Sequence, residues 1–313
     1  MNLRRVASVA GVAIGVAGLV FVGLQIVRDR DEFADTVRSA DLVWLAVAVL
    51  AGLCSMATIG LNWAAIIRHL GGTAPWRRAL AWFFVGQLGK YVPGGIWPIV
   101  GQAELANRSR VARSIAYPAT ATSMLAMLLG AATVAAAAGL VSPEDRRLVA
   151  ALTGVGVIAL LVALAIPAVR SALLRLASRV AGGRDLAVPE AGWLSVQTLR
   201  HVPVWLLYSA MNLAVVAALG GDVDAGLAAD VAFVTCLSWI AGFVIIGLPG
   251  GLGVREAVFV SMMTAPLGAG LAASVAVTSR VVTIVVDLCG AAGAPVIARL
   301  GPAETDDPDR PGS

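Results

Sequence analysis

Two apolar regions of this chain are each interrupted by a short stretch that contains proline, several glycines and charged residues. The first stretch, Gly89–Gln102, carries Lys90, the only lysine in the sequence. The second stretch, Leu248–Glu256, has the same Pro-Gly-Gly core. An α-helix does not continue comfortably through such a stretch, because proline lacks an N–H group and clashes with the preceding turn. The fold therefore has to accommodate two helix breaks within apolar sequence.

The apolar sequence around the breaks is long enough to span a membrane several times. Hydrophobic residues make up 59% of the 313 residues and charged residues 13%, about half the roughly 25% that is usual in soluble domains. A span needs about 20 apolar residues. The runs that reach this length are Val6–Val27, Leu42–Ile67, Ile115–Val141, Leu148–Val169, Val196–Leu219 and Leu271–Ala298. We therefore predict an all-α polytopic integral membrane protein with about six full spans.

The segments that flank the first break are too short to cross a membrane singly. Ala79–Gly89 would form about 16 Å of helix, against a hydrocarbon core of about 30 Å. Ile96–Ala106 can return the same distance, so we predict a re-entrant hairpin. The second break is flanked by Val231–Gly247, about 25 Å of helix, and by Val254–Ala265. We predict a second re-entrant hairpin there. A full crossing by Val231–Gly247, which would place the C-terminus outside, stays open as the alternative.

The charges in the loops predict the side of the membrane that each loop faces, because cytoplasmic loops are enriched in arginine and lysine. A cytoplasmic N-terminus and re-entrant hairpins place every basic loop on the cytoplasmic side. The loops predicted inside are Arg68–Arg78, Arg108–Arg113 and Arg170–Arg184, and those predicted outside are Arg28–Asp41, Ser142–Arg147 and Gly221–Asp230. The first hairpin then enters from the cytoplasm and the second from outside.

This topology predicts an inverted repeat within a single transmembrane domain, residues 1–300. Repeat one covers about residues 6–141 and repeat two about residues 148–298, each with two spans, a hairpin and a third span. Transporters of this plan bind substrates where broken helices meet near the bilayer midplane. We expect residues 301–313 to form a disordered tail. The abundance of Ala, Gly and Arg with a single Lys favours a bacterial source, and hence the bacterial cytoplasmic membrane.

Five ionisable residues lie in or next to segments predicted at membrane depth: Lys90, Arg255, Glu256, Arg280 and Asp287. A charge at the bilayer centre costs at least about 2.5–3.5 kcal/mol on insertion scales, so such groups usually face a cavity or a partner. One interpretation is a substrate site in which Lys90, Arg255 and Arg280 bind a phosphate-bearing headgroup. The alternative is a set of internal salt bridges that hold the broken helices, for example between Glu256 and Arg255 or Arg280.

The helix breaks could add backbone groups to such a site, because proline and glycine end helices and allow close backbone approach. The residues of this kind are Pro93, Gly94, Gly95, Pro249, Gly250, Gly251 and Gly253. Half-helices that begin near Gly95 and Gly253 would offer N–H donors and a favourable dipole to an anion. Asp287 and Glu104 are candidate proton-coupling acids if burial raises the pKa of either carboxyl, or else structural hydrogen-bonded acids.

Other kinds of site have little support in the sequence. The histidines, His69 and His201, and the cysteines, Cys54, Cys236 and Cys289, lack the spacing of a metal site, so we expect no metal and no cofactor. The sequence contains no Ser-His or Cys-His pairing of the kind that would indicate an intramembrane enzyme. The small net charge of +4 without a clustered basic face argues against nucleic-acid binding.

The sequence resembles a known family, the transmembrane, flippase-like region of lysylphosphatidylglycerol synthases and its stand-alone relatives. The matching pieces are Gly89–Gly95, Pro249–Glu256 and Ser279–Thr283, and the resemblance covers essentially the whole chain. It implies an integral inner-membrane protein that moves lipids or lipid-linked groups between leaflets. The full-length synthases also carry a soluble aminoacyl-transferase domain. This chain has no room for that domain, so we do not expect it to synthesise lipid or to be an enzyme.

Two hypotheses for the function follow from these observations. The first is a translocator (flippase) of an anionic or phosphate-bearing lipid or lipid-linked saccharide, whose headgroup binds between the two hairpins. The second is a membrane scaffold that moves no lipid and presents a lipid carrier to a separate glycosyl- or aminoacyl-transferase. The expected partner is a membrane lipid or lipid-linked glycan in both cases, with the transferase added in the second.

Overall fold

The computed structural model of the protein is built from α-helices. It describes residues 20, 24, 27, 38–91, 97–142, 144–169, 171, 172, 190–244 and 251–299. Apart from three positions, the predicted first span Val6–Val27 lies outside the described residues. The tail at 301–313 and nearly all of the basic loop Arg170–Arg184 also lie outside them.

Nine α-helices have described bounds. They are α1 Leu42–His69, α2 Trp76–Gln87, α3 Trp97–Arg108, α4 Arg113–Val141, α5 Glu144–Ala165, α6 Ala191–Ala218, α7 Ala225–Val244, α8 Val254–Leu267 and α9 Ala269–Arg299, with a 3₁₀ turn at Leu88–Tyr91. Six of these helices, namely α1, α4, α5, α6, α7 and α9, are long and apolar enough to cross a membrane. For the described residues, the prediction of an all-α protein with several helices long and apolar enough to span a membrane is confirmed.

One end of the helical bundle, which we call the basic end, holds seven of the 13 arginines that the structure describes. His69 at the end of α1 stacks on Trp193 at the start of α6, with ring centroids 4.5 Å apart. Gly72, which precedes α2, lies against Ile115 in the first turn of α4. The C-terminal part of α9 packs on the start of α2 in the same apolar cluster. The arginines at this end are Arg68, Arg77, Arg78, Arg108, Arg110, Arg113 and Arg299.

The opposite end, which we call the acidic end, holds the other helix termini. The N–H of Asp41, before α1, donates to the carbonyl of Ala218 at the end of α6, at 2.8 Å. Arg146 near the start of α5 forms an ion pair with Asp230 in α7 and donates to the carbonyl of Met262 in α8. The acidic residues at this end include Asp41, Asp222, Asp224 and Asp230.

Each broken stretch joins two helices that lie antiparallel and share one end of the bundle. Helix α2 begins and α3 finishes at the basic end, and Gly86 packs on Gln102. Helix α7 begins and α8 finishes at the acidic end, and Gly242 packs on Arg255. With 12 residues each, α2 and α3 are about 18 Å long.

Helix α7 differs in length from the helix expected before the second break. It begins at Ala225, ahead of the predicted Val231, because the carboxylate of Asp224 accepts from the N–H of Leu227 at 2.7 Å and caps the first turn. Its 20 residues make about 30 Å of helix, which is long enough to cross a membrane. Its partner α8 has 14 residues and returns toward the acidic end, where Met262 accepts from Arg146.

Close packing positions α9 beside both broken stretches. A Cβ atom at Gly290 would collide with the ring of Phe84 in α2, so only glycine lets these helices approach so closely. The long helices α1 and α6 pair next to them, and their polar side chains find partners. Ser55 donates to the carbonyl of Val204 and Asn62 to that of Arg200, both at 2.9 Å. Such interhelical hydrogen bonds satisfy polar groups that would otherwise face lipid.

Candidate functional site

Helix α9 carries an acidic residue, Asp287, that binds the 3₁₀ turn of the first broken stretch. Asp287 is 1% exposed, and the Nζ atom of Lys90 lies 2.9 Å from its Oδ1 and 2.7 Å from its Oδ2. The hydroxyl of Tyr91 donates to Oδ2 of the same carboxylate. A buried carboxylate needs a cation and hydrogen-bond donors to offset its lost hydration. Lys90 and Tyr91 supply both, so this contact attaches the first broken stretch to α9.

Seven residues earlier on α9, Arg280 faces the second broken stretch. Its Nε atom lies 3.8 Å from Oε1 of Glu256. The other carboxylate oxygen of Glu256 accepts from the N–H of Gly253 at 2.7 Å, which caps the first turn of α8. Gly253 has φ 83°, a conformation that residues with a side chain rarely adopt. Glu256 therefore both shapes the start of α8 and links that helix to α9.

Arg255 is the cation of this cluster without an acidic partner. In the described part of the chain, no carboxylate oxygen lies within 4.0 Å of its guanidinium, and its Nε is buried without a hydrogen-bond acceptor. The guanidinium lies over the ring of Trp239, 5.4 Å from the centroid. Gly242 and Gly251 enclose the side chain, since a Cβ atom at either position would lie 2.8 Å from Nε. A cation–π contact offsets only part of the cost of burying a charge.

A cavity of about 50 Å³ opens beside Arg255, Glu256 and Arg280. Its other polar lining residues are Tyr208, Asn212, Thr235, Ser238, Ser279 and Thr283. Asn212 donates to Thr235 at 3.0 Å, whereas the buried hydroxyl oxygens of Ser238 and Ser279 have no hydrogen-bond partner among the described residues. The cavity can hold a few water molecules or one small anion, and it is smaller than a pocket that encloses a drug-sized ligand.

The structure brings together the five ionisable residues expected at membrane depth. The charge of Lys90 interacts with the charges of Arg255 and Arg280. The charge of Arg255 also interacts with those of Glu256 and Asp287. Two internal ion pairs are present, as the salt-bridge interpretation anticipated, although Lys90–Asp287 is a pairing that the sequence did not specify. Arg255 is left without one. The cluster therefore contains both structural pairs and an unbalanced cation.

The structure describes only some of the glycines and prolines of the helix breaks. Pro93, Gly94, Gly95, Pro249 and Gly250 lie outside the described residues. Gly251 and Gly253 both have positive φ, 70° and 83°. Helix α8 begins directly after Gly253, so a half-helix N-terminus lies next to the charged cluster, as expected.

Glu104, the second candidate coupling acid, lies apart from the cluster, toward the basic end. It accepts from Nε and a terminal nitrogen of Arg113, at 2.9 and 2.8 Å, and from the hydroxyl of Tyr117 at 3.0 Å. The hydrogen bonds from Arg113 and then Tyr117 hold the pKa of this carboxyl below its usual range. This direction is opposite to the one that proton coupling near neutral pH would require.

We expect Glu104→Gln to lower the stability of the protein slightly at neutral pH and to leave it unchanged in acid. A carboxyl whose pKa is lowered by folding contributes stability above its unfolded pKa, and this contribution is lost as the pH falls through the folded pKa. The pair is exposed, so the shift in thermal midpoint in detergent should be small. Asp222→Asn, at an exposed aspartate of the acidic end, is the control. Equal midpoints of wild type and Glu104→Gln at neutral pH would contradict this expectation.

Some residues around the cavity are recognisable from the sequence by their spacing. Tyr208 and Asn212 are four residues apart and so share one face of α6, and Ser279 and Thr283 do the same on α9. Polar residues repeated at helical spacing within apolar spans indicate an interior polar surface. The buried pair Arg146–Asp230 had no such signal, because its members are 84 residues apart and belong to two different loops of the predicted topology.

These features define a multi-pass helical membrane protein with a buried charged cluster between two broken helices. The family model described as "Lysylphosphatidylglycerol synthase TM region" matches residues 8–290. The chain belongs to this family, in agreement with the resemblance found in the two Pro-Gly-Gly stretches and the last span. A comparison with curated proteins found no match.

Proposed function

We propose that this protein is a translocator of an anionic or phosphate-bearing lipid, or of a lipid-linked saccharide. The observation that carries the proposal is the convergence of Lys90, Arg255 and Arg280 on the interior of the bundle, next to a polar cavity. These cations come from the first broken stretch, the second broken stretch and α9. Cations in the interior of a membrane protein that no structural need explains in full usually mark a substrate path.

We propose further that α2–α3 and α7–α8 are re-entrant hairpins and that the two halves form an inverted repeat. Three observations support this topology. Each helix pair begins and finishes at one end of the bundle, the two pairs use opposite ends, and the end used by α2–α3 is rich in arginine. By the positive-inside rule, the basic end and the N-terminus face the cytoplasm of a bacterial cell.

In this proposal the two ion pairs on α9 act as alternating contacts. Lys90–Asp287 joins the α2–α3 hairpin to α9, and Arg280–Glu256 joins the α7–α8 hairpin to α9. Separation of the first pair opens the cavity toward the basic end, and separation of the second opens it toward the acidic end. A headgroup phosphate in the cavity would lie beside Arg255 and Arg280. Of the two candidate coupling acids, Asp287 fits this proposal because it is buried beside the cluster.

The test is lipid scrambling by the purified protein in liposomes that contain a fluorescent anionic phospholipid. We expect Lys90→Ala and Arg280→Ala to abolish movement of the probe between leaflets. Lys90→Ala leaves Asp287 buried without its cation, so Lys90→Ala/Asp287→Asn is included to remove both charges. Arg68→Ala, at an exposed arginine of the basic end, is the control and should retain wild-type rates.

Two outcomes would contradict the proposal. Wild-type rates for both Lys90→Ala and Arg280→Ala, with monodisperse and thermally stable protein, would refute the assignment of the site. A wild-type protein that binds lipid, moves none and co-purifies with a glycosyl- or aminoacyl-transferase would support the scaffold hypothesis instead.

A further inference from the structure

The charges of the buried cluster do not sum to zero. The pairs Lys90–Asp287 and Arg280–Glu256 are each neutral, and Arg255 is left over, so the five residues carry a net charge of +1. Of these five residues, Arg255, Glu256 and Arg280 line the cavity, and no further acidic or basic side chain of the described residues does so. The break residues 92–96 and 245–250 contain no acidic or basic residue in the sequence. Any compensating charge therefore has to come from outside this set of residues.

The Nε atom of Arg255 is buried although the side chain as a whole is only partly buried, and a bound counter-ion offsets the cost of such an unbalanced charge. A phosphodiester lipid without a charged headgroup supplies one negative charge. A phosphate monoester carries about −1.5 to −2 at pH 7, and lysyl-phosphatidylglycerol, with two amines and one phosphodiester, has a net charge of +1. The single positive charge of the cluster is therefore balanced by a singly charged phosphodiester, but not by a phosphate monoester or by lysyl-phosphatidylglycerol.

We infer that the lipid recognised here is a phosphodiester with one net negative charge, whose phosphate binds Arg255, and that the site selects lipids by charge and not by headgroup shape. The inference rests on the proposed function. The guanidinium of Arg255 can donate two parallel hydrogen bonds to a phosphate, and the unpartnered hydroxyls of Ser238 and Ser279 lie in the same cavity. A cavity of about 50 Å³ admits the phosphate and leaves the rest of the headgroup outside.

The inference predicts an order of rates for four lipid probes in the same liposome assay. The probes are phosphatidylglycerol with one negative charge, phosphatidic acid as a monoester, zwitterionic phosphatidylcholine, and cationic lysyl-phosphatidylglycerol. We expect phosphatidylglycerol to move about tenfold faster than the other three, since one charge-assisted interaction is worth about 10- to 100-fold in an equilibrium constant. A second diester of the same charge, phosphatidylinositol, should move at a similar rate.

Charge-changing variants should shift this preference in opposite directions. Arg255→Gln makes the cluster neutral, so it should slow phosphatidylglycerol about 10- to 100-fold and remove its advantage over phosphatidylcholine. Glu256→Gln raises the net charge to +2 and keeps an oxygen that can accept from Gly253, so it should shift the preference to phosphatidic acid. Arg255→Lys keeps the charge and should keep the preference. Arg68→Gln, at an exposed site, should behave as wild type.

The outcomes separate this inference from the proposed function. Equal rates for all charge classes, or a preference for lysyl-phosphatidylglycerol, would overturn the inference while lipid movement itself stands. Failure of the wild type to move any probe would contradict the translocator, and mass spectrometry of lipids retained by the purified protein then decides the inference. Retention of singly anionic diesters by wild type and their loss from Arg255→Gln would support it. Retention of neutral or cationic lipids would overturn it.

Discussion

Replacement of Asp287 by alanine is expected to destabilise the protein by about 3–5 kcal/mol, because removal of one member of a buried ion pair leaves the other charge uncompensated. Asp287 is 1% exposed and accepts from both Lys90 and Tyr91. Its loss would leave the Lys90 ammonium beside the charges of Arg255 and Arg280. Thermal or denaturant unfolding of the purified protein in detergent measures the change.

A double variant separates the stability of this pair from its function. Lys90→Met/Asp287→Leu removes both charges and fills the space with apolar atoms, an exchange that is often neutral or stabilising. We expect it to recover most of the lost stability. It should remain inactive in lipid scrambling, because it lacks the ion pair between the first hairpin and α9 whose separation opens the cavity. If Asp287→Ala alone were as stable as wild type, the buried pair would not contribute as the structure indicates.

Arg146→Ala is expected to cost a similar amount, about 3–5 kcal/mol, at the other end of the bundle. The Arg146 guanidinium lies 2.6 Å from Oδ1 of Asp230 and donates to the carbonyl of Met262 at 2.9 Å. Both side chains of the pair are at most 9% exposed. One residue of α5 thereby holds the start of α7 against the last turns of α8, so its loss should loosen the α7–α8 pair first.

Hydrogen exchange and unfolding together test this second prediction. Amides of α8 should lose protection in Arg146→Ala before those of α1 and α6, because local opening follows the loss of local contacts. Arg147→Ala, at the exposed neighbouring arginine whose Nε donates to the carbonyl of Ser142 at 3.3 Å, is the matched control and should cost clearly less, about 1 kcal/mol. Equal effects of the two alanine variants would show that the buried pair does not anchor α8.

The apolar helices were predictable because length and hydropathy alone determine a span. The predicted Leu42–Ile67 and Leu271–Ala298 correspond to α1 Leu42–His69 and α9 Ala269–Arg299. The beginning of α7 was harder to predict from the sequence, because Ala225 follows an acidic loop and the helix depends on a cap from Asp224. Boundaries set by one side-chain hydrogen bond are hard to place from hydropathy.

The charged residues of the site were also predictable as a set, since each lies within apolar sequence. Their pairing was not. Lys90 and Asp287 are 197 positions apart, and their contact depends on how α9 packs against the first broken stretch. The sequence offered Lys90, Arg255 and Arg280 alike as headgroup ligands, whereas the structure places Lys90 in an ion pair with Asp287 and leaves Arg255 without an acidic partner among the described residues. Only three-dimensional packing could reveal which of three cations is unbalanced.

The two glycines that enclose Arg255 have a thermodynamic consequence for ligand capture. Gly242 and Gly251 leave no room for a Cβ beside Nε, and Trp239 covers one face of the guanidinium. Arginine normally loses up to about 2 kcal/mol of rotamer entropy when it is immobilised. Here that ordering takes place when the protein folds, so an arriving anion finds its donor already oriented and binds without a further entropic loss.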